Sequence, residues 1–230
     1  MRVRSLFVAL LATILAVLVA SPAEAAAYRL QPVTMPDGSK QVARWDPCKT
    51  ITYQVSVRGI KGRRGQDQAV RLTRATVNRL GSVSGLKFVF KGHTREIPRR
   101  SSLNRQSVDL LIGFVRPGQT DYNLSGSIAG HGGWRGSYTR TGDGPWRMEI
   151  TKAFVVVDHP QTYRWTHRLD RRGVTRPNLV THELGHAVGL DHVHDRREIM
   201  NDYLHQGSPA GFGSGDRRGL RRVGAPAGCI

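Results

Sequence analysis

Hydrophobic and polar positions along the chain change period several times, and each change marks an element. The first is an apolar run from Leu6 to Ala20, preceded by Arg2 and Arg4 and followed by Ala23-Glu24-Ala25. A charged head, an apolar stretch and small residues make a secretory signal peptide, with cleavage after Ala25 or after Ala27. The run is shorter than the roughly 20 residues of a bilayer-spanning helix, so removal rather than retention as an anchor is expected. No later stretch is apolar for long enough to span, which predicts a secreted, extracellular mature chain. Beyond it, Ile51 to Val57 alternates with β-branched and aromatic residues and reads as a strand. From Gln66 to Leu80 the period becomes helical: Ala69, Leu72, Thr73, Thr76, Val77 and Leu80 share a face, Arg71, Arg74 and Arg79 oppose it, and Gly81 is the expected stop.

Strand patterns return at Leu86 to Phe90, Val108 to Val115 and Met148 to Asp158. Between the last two, Gly126 to Gly136 is glycine-rich and reads as a turn region with a short strand. Pro177 is well placed in the first turn of a further helix. Gly207 to Gly215 reads as a loop and Asp216 to Val223 as a short terminal helix.

That further helix carries His182-Glu183-Leu184-Gly185-His186-Ala187-Val188-Gly189-Leu190-Asp191-His192. Residues four apart lie on one helical face, so His182 and His186 can aim two imidazoles at one metal ion. Glu183 stands beside the first of them, placed to reach a water without becoming a ligand. Gly189 allows a left-handed turn that brings His192 round as a third ligand. Three protein nitrogens leave a fourth tetrahedral position open, the arrangement of a catalytic rather than a structural zinc. Asp191 and His194 compete with His192 for the third place, and the register favours His192. The other histidines, His93, His131, His159, His167 and His205, have no partner at ligand spacing.

Asp195 and Met200 follow His192 at three and eight residues. The run from His182 to Met200 resembles the metzincin clan of zinc endopeptidases, whose signature is a long three-histidine motif and a methionine turn. Within the clan it is most similar to the matrixins, which place an aspartate and a methionine at those two distances. The resemblance implies an α/β (α+β) fold: one domain, a twisted mixed sheet, a zinc-binding active-site helix and a C-terminal part containing the Met-turn. It implies a secreted bacterial peptidase of matrixin type that holds one catalytic zinc on His182, His186 and His192. Glu183 would be the general base, Met200 would lie beneath the zinc, and Asp195 would tie the turn in place. Substrates would be proteins or peptides cut at internal bonds. Asn201 to Gln206 would shape the pocket for the substrate side chain just after the cut bond. Here the chain departs from the pattern: Asp202 stands where matrixins commonly have proline, and Tyr203 does not match the clan's usual tyrosine spacing. Calcium, which stabilises matrixins, finds no acidic loop of convincing spacing here.

Cysteine count and charge refine this picture. Cys48 and Cys229 are the only cysteines, and an even count in an exported protein argues for a disulfide joining them. A rival role for Cys48, blocking the zinc as the propeptide cysteine of matrixins does, lacks the family's switch pattern in Trp45-Asp46-Pro47-Cys48-Lys49. About 200 mature residues suit one domain and a monomer, parsed as a signal peptide over 1–25, an N-terminal segment over 26–44 and a catalytic domain over 45–230.

The net charge is +18, with paired arginines at 99–100, 171–172, 196–197, 217–218 and 221–222. Such a surface is either a solvated basic face or one expected to attract polyanions, among them anionic cell-wall polymers, nucleic acid and acidic substrates. The alternative function is therefore a secreted polyanion-binding protein with an inactive or structural zinc site.

Overall fold

The computed structural model describes residues 27–140 and 142–230, so the signal peptide expected over 1–25 lies outside the described residues. The elements run β1 (Arg29–Leu30), β2 (Pro32–Thr34), β3 (Lys40–Arg44), β4 (Thr50–Ser56), α1 (Arg63–Ser84), β5 (Lys87–Thr94), β6 (Leu110–Val115), β7 (Gly130–Thr139), β8 (Arg147–Asp158), α2 (His159–Thr162), α3 (Arg176–Ala187), β9 (Leu190–Asp191) and α4 (Ser214–Val223). This is the single mixed α/β domain expected from the sequence.

One twisted seven-stranded sheet has the order β2-β3-β8-β6-β4-β5, with β7 added to the other side of β8. The pairs β3·β8, β8·β6, β6·β4 and β4·β5 are parallel, while β2·β3 and β7·β8 are antiparallel. Alternation along the central strands divides their side chains between two faces. Ile51, Tyr53, Val55, Leu110, Ile112, Phe114, Ala153, Val155 and Val157 join Ala69, Leu72, Val77 and Leu80 of α1 and Leu179, Val180 and Leu184 of α3 in the main core. Val115, Phe154 and Val156 face the other way and meet Ile97, Leu103, Tyr122 and Leu124 in a smaller cluster. Buried on both faces, β6 and the second half of β8, from Ala153 to Val157, are continuous apolar runs, as expected of central parallel strands.

Several elements differ from the sequence reading, for physical reasons. Helix α1 runs past Gly81 and stops at Gly85, which takes the left-handed conformation with φ 74°. Gly81 instead lets the following strand approach closely, since a Cβ there would lie 3.1 Å from the Leu86 carbonyl. The glycine-rich stretch is a turn only at Gly126 and Ser127; from Gly130 it enters a strand longer than expected, the ten-residue β7, paired with β8 from Gly130 to Thr139. The segment 26–44 contributes β1, β2 and β3, and β3 is hydrogen-bonded into the main sheet. Cys48 and Cys229 form the expected disulfide, and the Arg44 guanidinium donates to the carbonyls of Gly228 (2.6 Å) and Cys229 (3.2 Å).

A buried histidine sets an acid limit on this fold. His159, at the junction of β8 and α2, is 8% exposed, and its Nδ1 has no partner among the described residues. Burial, with Arg176, Arg116 and His167 adding positive charge, pulls its pKa down to about 4. A depressed histidine pKa contributes stability that is present above the ordinary value of about 6.5 and lost as pH falls through the folded value. In urea titrations, His159→Phe is expected to lose on the order of 3 kcal/mol less stability than the unaltered chain between pH ~7 and ~3.5. Parallel losses in the two proteins would refute this.

Candidate active site

The fold delivers three histidines to one point. Thr175 caps α3 by accepting from the Asn178 N–H (3.1 Å), and Pro177 occupies the first turn, where no N–H is needed. His182 and His186 then fall on one helical face. Helix α3 ends at Ala187, and Gly189 turns the chain with φ 99°; a Cβ there would sit 2.6 Å from the Ala43 carbonyl. Beyond it β9 pairs antiparallel with β1, and His192 faces back toward the helix.

The Nε2 atoms are 3.2 Å apart between His182 and His186, 3.1 Å between His182 and His192, and 2.9 Å between His186 and His192. His182 donates from Nδ1 to the Ile199 carbonyl (2.7 Å) and His186 from Nδ1 to the Leu190 carbonyl (3.0 Å). Those bonds place the ring proton on Nδ1, so two Nε2 lone pairs face each other with no proton between them. Burial is the main cause that lowers the pKa of His182 to about 3 and of His186 to about 4, which keeps both neutral at pH 7. Converging lone pairs repel unless a cation lies among them. A tetrahedral zinc with Zn–N bonds of about 2.0–2.1 Å separates its nitrogens by about 3.3 Å, so the cluster fits such an ion closely.

Glu183 sits beside this point against β7. The glycines of that strand make the space: a Cβ at Gly130 would lie 2.9 Å from Glu183 Oε1, and one at Gly132 would overlap the Glu183 backbone carbonyl. Burial pushes the Glu183 carboxyl up to about 8, opposed by a hydrogen bond from the Gly132 N–H.

Met200 is buried directly under α3, its sulfur against Gly185, where a Cβ would overlap it. The turn around it is built from both sides. The Val193 N–H donates to the Met200 carbonyl (2.9 Å) and the Asn201 side chain to the Val193 carbonyl (3.2 Å). Asp216 of α4 accepts from the N–H groups of Ile199 (2.7 Å), Met200 (3.4 Å) and Gly213 (2.9 Å), while Glu198 accepts from those of Gly215 and Asp216, each at 2.9 Å. Burial, reinforced by the Glu198 carboxylate, pushes Asp216 up to about 7. The sequence reading singled out Asp195, whose carboxylate binds Arg197, at 3.0 Å from its N–H and 2.7 Å from its guanidinium, and is thereby held down to about 2. Asp216, which grips the turn itself, was missed because only the fold brings it near.

A cleft of about 710 Å³ opens over the histidines. Its lining includes Ala129 to Gly132 of the β7 region together with Trp165, Val174, Leu179 and Asp202 to Leu204. Gln31, from the N-terminal segment, closes one end: its side chain donates to the Leu190 carbonyl (2.9 Å) and accepts from the Trp134 indole. Asp191 lines the cleft paired with Arg29 (3.0 Å), and His194 pairs with Asp202, so neither joins the nitrogen cluster.

The family model of the matrixins matches residues 44–223. The chain is a matrixin. It belongs to that family of zinc metallopeptidases across most of its length, and the match spans α3, the turn at Met200 and α4. Among solved structures this matrixin is similar to an archaemetzincin from Methanopyrus kandleri, at 17% identity over 76% of this chain and 95% of that chain, with a TM-score of 0.43. No curated protein matches the chain.

Proposed function

We propose that this matrixin is a secreted endopeptidase in which His182, His186 and His192 hold one zinc ion and Glu183 is the general base. The observation that carries the reading is the convergence of three imidazole Nε2 atoms, at 2.9–3.2 Å from one another, in an open cleft beside the buried Glu183. Zinc on three imidazoles supplies Lewis acidity, polarising a carbonyl and lowering the pKa of water toward about 7. The carbonyls of Ile199 and Leu190 orient two of the rings, and Met200 floors the site.

Strand β7 has no strand on its outer side among the described residues, and Gly130, His131 and Gly132 line the cleft. An extended peptide can add to that edge through backbone hydrogen bonds, which suits a cut within a chain rather than at its terminus. Glu183 takes a proton from the attacking water and returns it to the leaving amine. Burial of Glu183 against β7 holds its carboxyl beside the nitrogen cluster and away from bulk water. The apolar wall formed by Trp165, Val174, Leu179 and Leu204 receives the substrate side chain after the cut bond. Secretion follows from the leader, with the catalytic domain over 45–230.

Stripping the purified mature chain with a chelator is expected to lower casein hydrolysis at least about a hundredfold, and zinc to restore it at about one ion per chain. Metal analysis of His192→Ala should show that stoichiometry lost. Proteolysis that survives complete removal of metal would sink the proposal. Salt-dependent retention on heparin without chelator-sensitive proteolysis would select the polyanion-binding alternative.

A further inference from the structure

The chain has 35 Lys and Arg against 17 Asp and Glu, yet among the described residues the charged side chains that line the cleft are Glu183, Asp191 and Asp202, with no lysine or arginine. Glu183 is buried, and Asp191 is committed to Arg29 (3.0 Å) and to the His192 N–H (2.9 Å). Asp202 differs from both. Its side chain is 34% exposed, Oδ2 lies 2.5 Å from His194 Nδ1, and Oδ1 takes no hydrogen bond among the described residues. The His194 ring holds Oδ2 in place and leaves Oδ1 as the acceptor that faces no protein partner among the described residues.

The backbone beneath is also fixed. Val193 and Asn201 form a β-bridge, and the Val193 N–H donates to the Met200 carbonyl (2.9 Å), which anchors the chain next to Asp202, and Asp202 lines the same cleft as His182. Trp165, Val174, Leu179, Tyr203 and Leu204 line the same cleft, a mainly apolar set. An aliphatic stem ending in a cation matches that sequence of surfaces: methylenes along the wall, charge at the free carboxylate oxygen.

We infer that Asp202 is a specificity-determining residue that favours substrates with lysine or arginine immediately after the cut bond. The inference rests on the peptidase reading above and names the substrate class of that same cleft. A dication among the imidazoles offsets part of the acidic field, so the selectivity comes from direct contact with Asp202 rather than from the summed charge of the cleft. Salt weakens such a contact at a partly exposed site.

The test uses the zinc-loaded mature chain and peptides identical except for lysine, arginine, norleucine or glutamate after the cut bond. The bond cut is located by mass spectrometry. Lysine and arginine are expected to exceed norleucine in kcat/KM by roughly five- to tenfold at low salt, with glutamate poorest. Asp202→Asn should bring the lysine-to-norleucine ratio to about one, and Asp202→Lys should favour glutamate. Binding of the same peptides to Glu183→Gln, followed by fluorescence anisotropy, should show the same order without turnover. Cleavage with no preference for cations, or a ratio that Asp202→Asn leaves intact, overturns the role of Asp202 and leaves the peptidase reading standing. Failure of the zinc-loaded chain to cut any of the peptides or casein overturns both.

Discussion

Glu183→Ala is expected to retain zinc yet lose peptide hydrolysis by at least about a hundredfold, the low end for removal of a general base. The two readouts separate because Glu183 is beside the nitrogen cluster and not part of it: the three converging atoms belong to His182, His186 and His192. Glu183→Gln is the sharper companion. It fills the space that Gly130 and Gly132 leave beside α3 but cannot carry the proton. Metal content by mass spectrometry and turnover of a peptide substrate, measured on the same preparations, decide the matter. A variant that keeps most activity removes Glu183 from the chemistry. One that loses zinc together with activity makes the carboxylate a contributor to metal binding.

The second large effect concerns the ends of the domain. Cys48 and Cys229 are 181 residues apart in sequence, with their Cα atoms 5.5 Å apart across the disulfide. Opening so long a loop releases much chain entropy in the unfolded state, and loop models with measured disulfides together suggest about 2–5 kcal/mol. Cys48→Ser with Cys229→Ser is therefore expected to lower Tm by roughly 5–15 °C for a domain of this size. The Arg44 hydrogen bonds to the Gly228 and Cys229 carbonyls should depend on the bridge, so Arg44→Ala in the double variant should cost less than in the intact chain. Calorimetry that finds the same Tm with and without the bridge would show that the terminus is held by other contacts.

What could be read in the chain before folding was whatever local periodicity and spacing encode. The apolar face of α1 agrees residue for residue, because Ala69, Leu72, Thr73, Thr76, Val77 and Leu80 follow the helical repeat and all are buried. The histidine cluster was legible for the same reason: His182 and His186 are one turn apart, and Gly189 marks the bend that returns His192. Strand β7 was legible only as a short strand within a turn region. Its glycines signal a turn when only neighbours are considered, whereas here they are absent side chains that allow α3 and Glu183 to come close. Nor was the contribution of residues 40–44 visible, since pairing of β3 with β8 joins positions about a hundred residues apart.

By itself, then, the sequence determined the chemistry available: a helix with two imidazoles on one face, a third after a glycine bend, a carboxylate beside them, and two cysteines able to bridge. Those are short-range facts set by backbone geometry and residue type. Tertiary structure alone decided the surroundings of that chemistry. It set Met200 under Gly185, clamped the turn with Asp216 from α4, and brought the start of β7 and Asp202 to the lining of one cleft. The physical reason is that each of these depends on close packing or hydrogen bonding between segments distant in sequence, where no local pattern carries the signal.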